Sequence, residues 1–264
     1  MNQIINYLRK FDWLRNNTFQ KEVFGTIEII QSIKKYKENP ANLNAEETTS
    51  RDDQDFKSFF IQVEEEKLKR VREVNKNYVA KNVGDAEKAG MRGNAWIEYL
   101  QSHGLEKSSK VLDYGCGGLR LGKSMIEYLD PGKYTGVDIT DLFLKSGGLT
   151  FLGEQNLVSK EPVFSVIDSP HYNTEIGLKK FDFIYSTMVV MHVPPAELES
   201  YFRKVLNHMH SKSLFFFDFQ PSLFTFKKNS LTWGYSYSKI YSIIKDLGAK
   251  SEVAYGQMVK VNLN

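Results

Sequence analysis

Apolar residues recur at helical spacing through the N-terminal part of the chain, with one polar interruption. Val23, Ile27 and Ile30 fall on one face of the first predicted helix. The interruption at residues 39–55 is acidic, contains almost no large apolar residues and is typical of a linker or a mobile loop. The pattern therefore predicts an N-terminal helical extension over residues 1–82, with its polar linker near residues 39–55.

From residue 83 to the end, short apolar segments alternate with amphipathic ones. Strands that alternate with helices are typical of a parallel sheet covered by helices, so residues 83–264 are predicted to form one α/β domain. The last two segments flank Gly256-Gln257 and predict a terminal antiparallel hairpin. The predicted strands are residues 110–113, 134–138, 162–168, 181–186, 214–219, 251–255 and 258–262, and the longer predicted helices are residues 85–103, 119–129, 194–209 and 236–247.

Composition narrows the class of protein only slightly. A net charge of +3 over 264 residues gives no reason to expect a nucleic-acid partner or a membrane surface. The single cysteine, Cys116, excludes an intramolecular disulfide and a Cys-x-x-Cys zinc site, and no metal is expected. The opening residues lack the apolar segment of a signal peptide, and no apolar run approaches the ~20 residues that span a bilayer. We therefore expect a cytoplasmic protein.

One predicted strand ends in Asp113 and the glycine-rich run Gly115-Cys116-Gly117-Gly118, and the next strand ends on Asp138, 25 residues after Asp113. Glycines allow backbone N–H groups to approach a ligand closely, and the following helix offers free N–H groups to a negative group. The second carboxylate can accept two hydrogen bonds from a ribose diol. Because parallel strands end at one edge of a sheet, this layout predicts a nucleoside pocket there.

Two classes of nucleotide fit such a layout. The dinucleotide fingerprint needs Gly-x-Gly-x-x-Gly, and this chain has Arg120 where the third glycine belongs, so the NAD pattern is incomplete. The Asp-x-Gly-x-Gly pattern that starts at Asp113 resembles motif I of the class I methyltransferases, which bind S-adenosylmethionine. Those proteins often carry one more glycine where this chain has Leu119, beside Gly118.

The resemblance to class I S-adenosylmethionine-dependent methyltransferases covers about two thirds of the chain, from about Val83 onward. The loop Gly-Cys-Gly-x-Leu-Arg, followed by the Tyr-Leu-Asp turn at residues 128–130, is similar to one bacterial group of these enzymes. The resemblance implies a Rossmann-like sheet of seven strands that ends in an antiparallel hairpin, with S-adenosylmethionine as cofactor. Some members of the group accompany genes for surface-glycan or small-molecule tailoring, so the acceptor does not transfer with the resemblance.

At the methionine end of the cofactor, the resemblance assigns roles to the motif I loop. Gly115 and Gly117 would give close backbone approach, and Asp113 would orient the ammonium group directly or through water. Cys116 is predicted to be a small packing residue of this cofactor loop. Arg120 would pair with the cofactor carboxylate, or would lie on the surface.

At the adenosine end, the resemblance assigns roles to the ends of the following strands. Asp138 would bind the ribose hydroxyls, and Ile139 would pack on the face of the adenine. Asp168 is predicted to meet the adenine amino group, with a helix N-cap or turn residue as the alternative. Ser186 and the two residues after it are predicted to line the cofactor side of the site.

For the acceptor side, His192 is predicted to be a general base if the acceptor is a hydroxyl, and a structural residue otherwise. The stretch 219–237 is predicted to contribute acceptor contacts through Trp233 and Tyr235, with the alternative that its aromatic residues cover the sheet as core. His208 and His210 are predicted to lie at the solvated end of the helix that opens at Pro194, and could share a metal only if that helix ended before them.

The sequence therefore predicts a methyltransferase that acts on a small-molecule or glycan acceptor, with oxygen favoured over nitrogen. The tetrapeptides Asn-Pro-Pro-Tyr and Asp-Pro-Pro-Tyr are absent after the fourth strand, which disfavours amino methylation of a nucleic-acid base. One alternative is a protein or lipid methyltransferase whose N-terminal helices recruit the acceptor. Another is a non-catalytic scaffold that keeps the cofactor site, since fold alone does not fix function.

Overall fold

The computed structural model describes residues 18–37, 56–74, 86–254 and 258–264. The predicted linker at 39–55 and the boundary at residue 82 lie outside these ranges. The helices are α1 (Thr18–Lys37), α2 (Phe56–Val74), α3 (Ala86–Gln101), α4 (Gly122–Tyr128), α5 (Leu149–Glu154), α6 (Leu198–Leu206) and α7 (Tyr237–Asp246). The strands are β1 (Val111–Tyr114), β2 (Tyr134–Asp138), β3 (Val163–Val166), β4 (Phe181–Ser186), β5 (Met209–Phe217), β6 (Phe226–Asn229), β7 (Thr232–Gly234), β8 (Ala249–Val253) and β9 (Val259–Leu263).

The main sheet has seven strands in the order β3-β2-β1-β4-β5-β9-β8. β1 pairs in parallel with both β2 and β4, and β2 pairs in parallel with β3. Every residue of β1 and β2 is buried, as expected for parallel strands covered on both faces. β8 and β9 pair antiparallel, which confirms the predicted terminal hairpin. The fold is therefore the predicted Rossmann-like sheet, and the carboxyl ends of β1, β2 and β4 share one edge.

The chain divides into two compact units, each built from more than one segment. Of the described residues, the first unit contains 18–37, 187–206, 216–254 and 258–264, and the second contains 56–74, 86–186 and 207–215. The motif I loop and the ends of the first four strands all belong to the second unit, whereas His192 and the stretch 219–237 belong to the first.

In the first unit, α1 packs closely against the chain that follows β5. The Thr26 hydroxyl accepts a hydrogen bond from the Leu223 amide at 2.9 Å, and Glu22 accepts one from the Tyr237 amide at 2.7 Å. Gly25 faces the Pro221 carbonyl so closely that a Cβ there would overlap it. β6 and β7 form a separate antiparallel ribbon in the same unit.

Several predicted boundaries differ from the structure, and three of these differences bear on the residues singled out above. The helix after the glycine loop begins at Gly122 and not at residue 119, because Leu119 adopts a left-handed φ of 66° that interrupts helix geometry. β3 ends at Val166, two residues before Asp168. β5 begins at Met209, so the residues predicted to finish the preceding helix belong to this strand.

Candidate active site

The glycine loop folds back over the end of β2. Gly115 and Gly117 take left-handed φ values of 99° and 48°, which glycine adopts without steric cost. The amides of Gly115 and Cys116 both donate to the Val137 carbonyl, at 2.7 and 3.0 Å. The loop therefore holds the end of β1 beside the end of β2, and the predicted glycines occupy the positions where the backbone needs them.

Asp138 is buried at the end of β2 and is held by backbone donors. Its Oδ2 accepts a hydrogen bond from the Gly117 amide at 2.8 Å, and its Oδ1 accepts a longer one from the Thr140 amide at 3.4 Å. Burial raises the pKa of Asp138 to about 6, against the backbone hydrogen bonds, which lower it. The carboxylate predicted to bind ribose is thus fixed to the loop predicted to bind the rest of the cofactor.

Asp113 is buried on β1 and is held by two tyrosine hydroxyls. Tyr134 donates to its Oδ2 at 2.8 Å, and Tyr185 donates to the same oxygen at 2.9 Å. Burial raises the pKa of Asp113 to about 7, the two hydrogen bonds lower it, and the charge of Asp138 raises it further. The prediction for Asp113 did not include these tyrosines.

Cys116 is placed as a packing residue of the loop. It is buried, and a Cβ added to Gly136 would lie 3.1 Å from its Sγ. Burial raises the pKa of the Cys116 thiol well above its usual range, so this group stays protonated and is a poor nucleophile.

The remaining residues predicted for the cofactor occupy varied environments in the second unit. Ser186 is fully buried and its hydroxyl donates to the Tyr114 carbonyl at 2.6 Å, which ties β4 to β1. Ile139 is half-buried, and Arg120 is exposed. Asp168 is exposed in the turn after β3, where it takes a left-handed φ of 65°. Their cofactor contacts stay predictions.

α2 contacts the chain beyond the ends of β2 and β3. Lys57 in its first turn donates to the Ile167 carbonyl at 3.3 Å. Farther along the helix, Leu68 lines a cavity of about 410 Å³ together with Leu142, which follows β2. This helix therefore lies along the edge of the second unit where the adenosine half of a cofactor is predicted.

In the first unit, His192 lies in a short 3₁₀ turn, six residues after Ser186. Its Nδ1 lies 2.8 Å from the Leu231 carbonyl, and the Tyr235 hydroxyl donates to the Val193 carbonyl. Because a carbonyl oxygen only accepts, Nδ1 is the donor, and in the neutral ring the lone pair is then on Nε2. Two hydrogen bonds therefore fix this turn to β7 and the residues around it.

The aromatic residues predicted to bind the acceptor are mostly interior. Tyr235 is 0% and Trp233 is 8% exposed, as the alternative of core packing expects. Lys227 lies over the Trp233 ring, with its Nζ 5.7 Å from the centroid. Phe224, by contrast, is 52% exposed and could offer a ring face to a ligand. Acceptor binding by Trp233 and Tyr235 stays a prediction.

Asp218 is a further strand-end acid that the sequence predictions did not single out. It follows β5, and its Oδ1 accepts a hydrogen bond from the amide of Met188, which has a left-handed φ of 60°. Burial raises the pKa of Asp218. An apolar strand that ends on an acid was the signal for Asp113 and Asp138, and Leu-Phe-Phe-Phe-Asp at residues 214–218 carries the same signal.

The placement predicted for His208 and His210 was wrong. α6 ends at Leu206, and His208 is buried, with Nε2 2.8 Å from the Tyr172 hydroxyl and Nδ1 3.0 Å from the Lys179 carbonyl. His210 instead pairs with Asp182 at 3.0 Å. The two histidines thus have separate partners, and within the described ranges no cluster of three or more His, Cys, Asp or Glu side chains could hold a metal.

Comparison with solved structures places this fold in a known class. Magnesium protoporphyrin IX methyltransferase of Synechocystis, with bound S-adenosylmethionine, aligns with a TM-score of 0.59 at 16% identity, over 81% of this chain and 99% of that one. The PH0226 protein of Pyrococcus horikoshii aligns with a TM-score of 0.50 at 17% identity, over 74% of this chain and 99% of that one. These similarities establish the class I methyltransferase fold.

The sequence comparison adds the family. Residues 112–215 match the family described as "Methyltransferase domain", whereas a comparison with curated proteins finds no match. The matched domain and the fold together support an S-adenosylmethionine-dependent methyltransferase. In the part of the chain that the structure describes, no helix has the length and apolar character needed to cross a membrane.

Proposed function

We propose that this methyltransferase acts on a hydroxyl group of a small-molecule or glycan acceptor, with His192 as the general base. The observation that carries the proposal is the hydrogen bond between His192 Nδ1 and the Leu231 carbonyl. It fixes the tautomer whose Nε2 lone pair can take a proton. A carbonyl partner on Nδ1 is a common way to orient a basic imidazole.

A hydroxyl acceptor needs such a base more than an amine does, because its oxygen must lose a proton as it attacks. S-adenosylmethionine supplies a methyl group activated by a sulfonium leaving group. The protein then has to align the acceptor oxygen, exclude water and accept the proton. The Nε2 atom of His192 is proposed as the atom that receives it.

The second unit is proposed to hold the cofactor. The left-handed glycines leave room that a Cβ would restrict, and Asp138 offers the ribose an oxygen, Oδ1, whose present hydrogen bond is long at 3.4 Å. Asp113 is proposed to bind the ammonium group. Ile139, Asp168, Arg120 and Ser186 complete the proposed set in the roles that the resemblance implies.

The first test replaces His192 by Gln, which keeps the volume and a donor but removes the basic nitrogen. We expect kcat to fall by about 10²–10⁴ on a hydroxyl acceptor, while the affinity for S-adenosylhomocysteine measured by calorimetry stays within about twofold of wild type. His171→Gln, at an exposed position, serves as the matched control. Full turnover by His192→Gln would refute the general-base role.

The acceptor class is tested with a panel of phenols, sugars and oligosaccharides, peptides and lipids. Transfer of a radiolabelled methyl group to each compound is measured. Turnover confined to phenols or sugars supports the proposal. Turnover confined to peptides or lipids would replace it with the protein or lipid methyltransferase alternative. Calorimetry with NAD checks cofactor selectivity, and we expect binding of S-adenosylmethionine and its demethylated product alone.

A further inference from the structure

The Asp113 carboxyl group makes its hydrogen bonds within the described residues through one oxygen. Tyr134 and Tyr185 both donate to Oδ2, at 2.8 and 2.9 Å. The three residues are 3%, 1% and 0% exposed, in the order Asp113, Tyr134 and Tyr185. Because a carboxylate oxygen pair can accept about four hydrogen bonds, this arrangement leaves the lone pairs of Oδ1 available to a further donor.

Under the proposed function, that donor is the ammonium group of S-adenosylmethionine, so this inference rests on the proposed function. We infer that Tyr134 and Tyr185 are positioning residues that fix the Asp113 carboxylate so that Oδ1 receives the ammonium group of S-adenosylmethionine. The tyrosines do not touch the cofactor in this scheme. They act through Asp113, from the two strands that flank it.

The sheet register builds this arrangement. Asp113 lies directly opposite Tyr185 in β4, and on the other side it lies opposite Gly136, two residues beyond Tyr134 in β2. Each phenol ring is held by another ring: Trp96 packs edge-on against Tyr185 at 6.0 Å, and Phe164 packs edge-on against Tyr134 at 6.0 Å. Rings that are locked by packing hold their hydroxyls in place before a ligand arrives.

The charges around Asp113 explain why two donors are needed. Burial opposes its ionised form, and so does the carboxylate of Asp138, while Cys116 faces the same group as a neutral thiol. Burial keeps the pKa of both tyrosines well above the usual range, so both remain donors at any pH at which the enzyme is assayed. The two phenols are the groups that favour a charged carboxylate able to bind an ammonium ion.

The test uses two nucleosides that differ in the amino-acid part. S-adenosylhomocysteine carries the ammonium group, and 5′-methylthioadenosine lacks it. Calorimetry from pH 6 to 9 on Tyr134→Phe and Tyr185→Phe should show about a tenfold loss of affinity for S-adenosylhomocysteine in each variant, and unchanged affinity for 5′-methylthioadenosine. The fall in S-adenosylhomocysteine affinity on acidification should also begin at higher pH than in wild type.

Controls separate this inference from the proposed function. Tyr128→Phe removes a hydroxyl that bonds to Gln101 and to the Leu105 carbonyl, and should leave both affinities unchanged. If Asp113→Asn loses no preference for S-adenosylhomocysteine, the cofactor role of Asp113 fails. The positioning role fails if Asp113→Asn loses that preference while the tyrosine variants keep it. It also fails if the tyrosine variants lower the affinity for both nucleosides equally. Either tyrosine variant decides the question if the other does not fold.

Discussion

At the scale of single residues, two buried acids of similar sequence context have different environments. Asp138 is held by backbone amides, whereas Asp113 is held by two side-chain hydroxyls. Burial opposes the charge of both, and it raises the pKa of Asp113 to about 7 and that of Asp138 to about 6. A bound ammonium group would favour the charged form of the carboxylate that it contacts. The number of protons released on binding therefore shows which of the two acids contacts it.

We expect S-adenosylhomocysteine to release roughly half a proton or more when it binds at pH 6.5, because an Asp113 with a pKa of about 7 is mostly protonated there. Calorimetry in two buffers of different ionisation enthalpy measures this number. Binding of 5′-methylthioadenosine should release far fewer protons, because the ribose hydroxyls that Asp138 is proposed to bind are uncharged. Equal release by both nucleosides would point to Asp138 instead.

Gly122 is a second residue whose role follows from the Asp113 cluster. A Cβ at this position would overlap the Tyr134 hydroxyl. Gly122→Ala should therefore displace that hydroxyl from Asp113 and lower the affinity for S-adenosylhomocysteine about tenfold. This loss is expected even though alanine has a higher helix propensity than glycine. Gly177→Ala, where the nearest atoms lie at 3.4 Å or more, is the control and should bind normally. Normal binding by Gly122→Ala would mean that Tyr134 has room to move.

At the scale of secondary structure, the strands were predictable because buried parallel strands are short apolar runs between turn residues. β5 was predicted to start late because its first residues, Met-His-Ser-Lys-Ser at 209–213, are mostly polar. These polar groups find partners in the fold: His210 pairs with Asp182, and Ser213 donates to the Phe181 carbonyl. Sequence pattern alone does not show such partners.

The candidate site was predictable to the same extent. Gly117 and Asp138 are close in space because a loop and the next strand end meet, which the motif encodes locally. The sequence pattern predicts Tyr134 and Tyr185 only as ordinary strand residues. Their hydrogen bonds to Asp113 depend on the register between three strands. Register is a tertiary property, so no single segment of sequence reveals it.

The packing of α1 makes a prediction at the element scale. Gly25→Ala would place a methyl group into the Pro221 carbonyl, which is backbone and cannot turn aside. We expect α1 to detach from the loop after β5, with a loss of about 1–3 kcal/mol in the free energy of unfolding and faster proteolysis of α1. Gly153→Ala, with no atom within 4 Å of the added Cβ, should be neutral or slightly stabilising. Unchanged proteolysis of Gly25→Ala would contradict this close contact.

At the scale of the whole molecule, the boundaries of the segment that matches the family differ from the boundaries of the two compact units. The match covers residues 112–215, most of which belong to the second unit, which also contains the residues proposed to bind the cofactor. α1 and residues 216–264 lie outside the match, and both belong to the first unit. Methyltransferases share a cofactor and differ in acceptor, so we expect the selection of the acceptor to reside in the first unit.

The stability of the whole chain should depend on pH through His208. Burial lowers the pKa of this histidine from 6.5, and the nearby charge of Lys180 lowers it further. The unfolded chain therefore binds more protons than the folded one as pH falls below 6.5, and stability is lost until the pH passes the lowered pKa. Asp113 has the opposite effect, because its raised pKa stabilises the folded state as pH falls from about 7.

A variant separates the two effects. His208→Gln should be less stable than wild type at pH 8, and this difference should shrink by up to about 1.4 kcal/mol per pH unit on acidification below pH 6.5, because Asp113 is present in both proteins and cancels. Urea unfolding at pH 5, 6, 7 and 8 measures the difference. His171→Gln, at an exposed position, should follow wild type at every pH. A constant difference between His208→Gln and wild type would mean that His208 keeps its ordinary pKa despite its burial beside Tyr172.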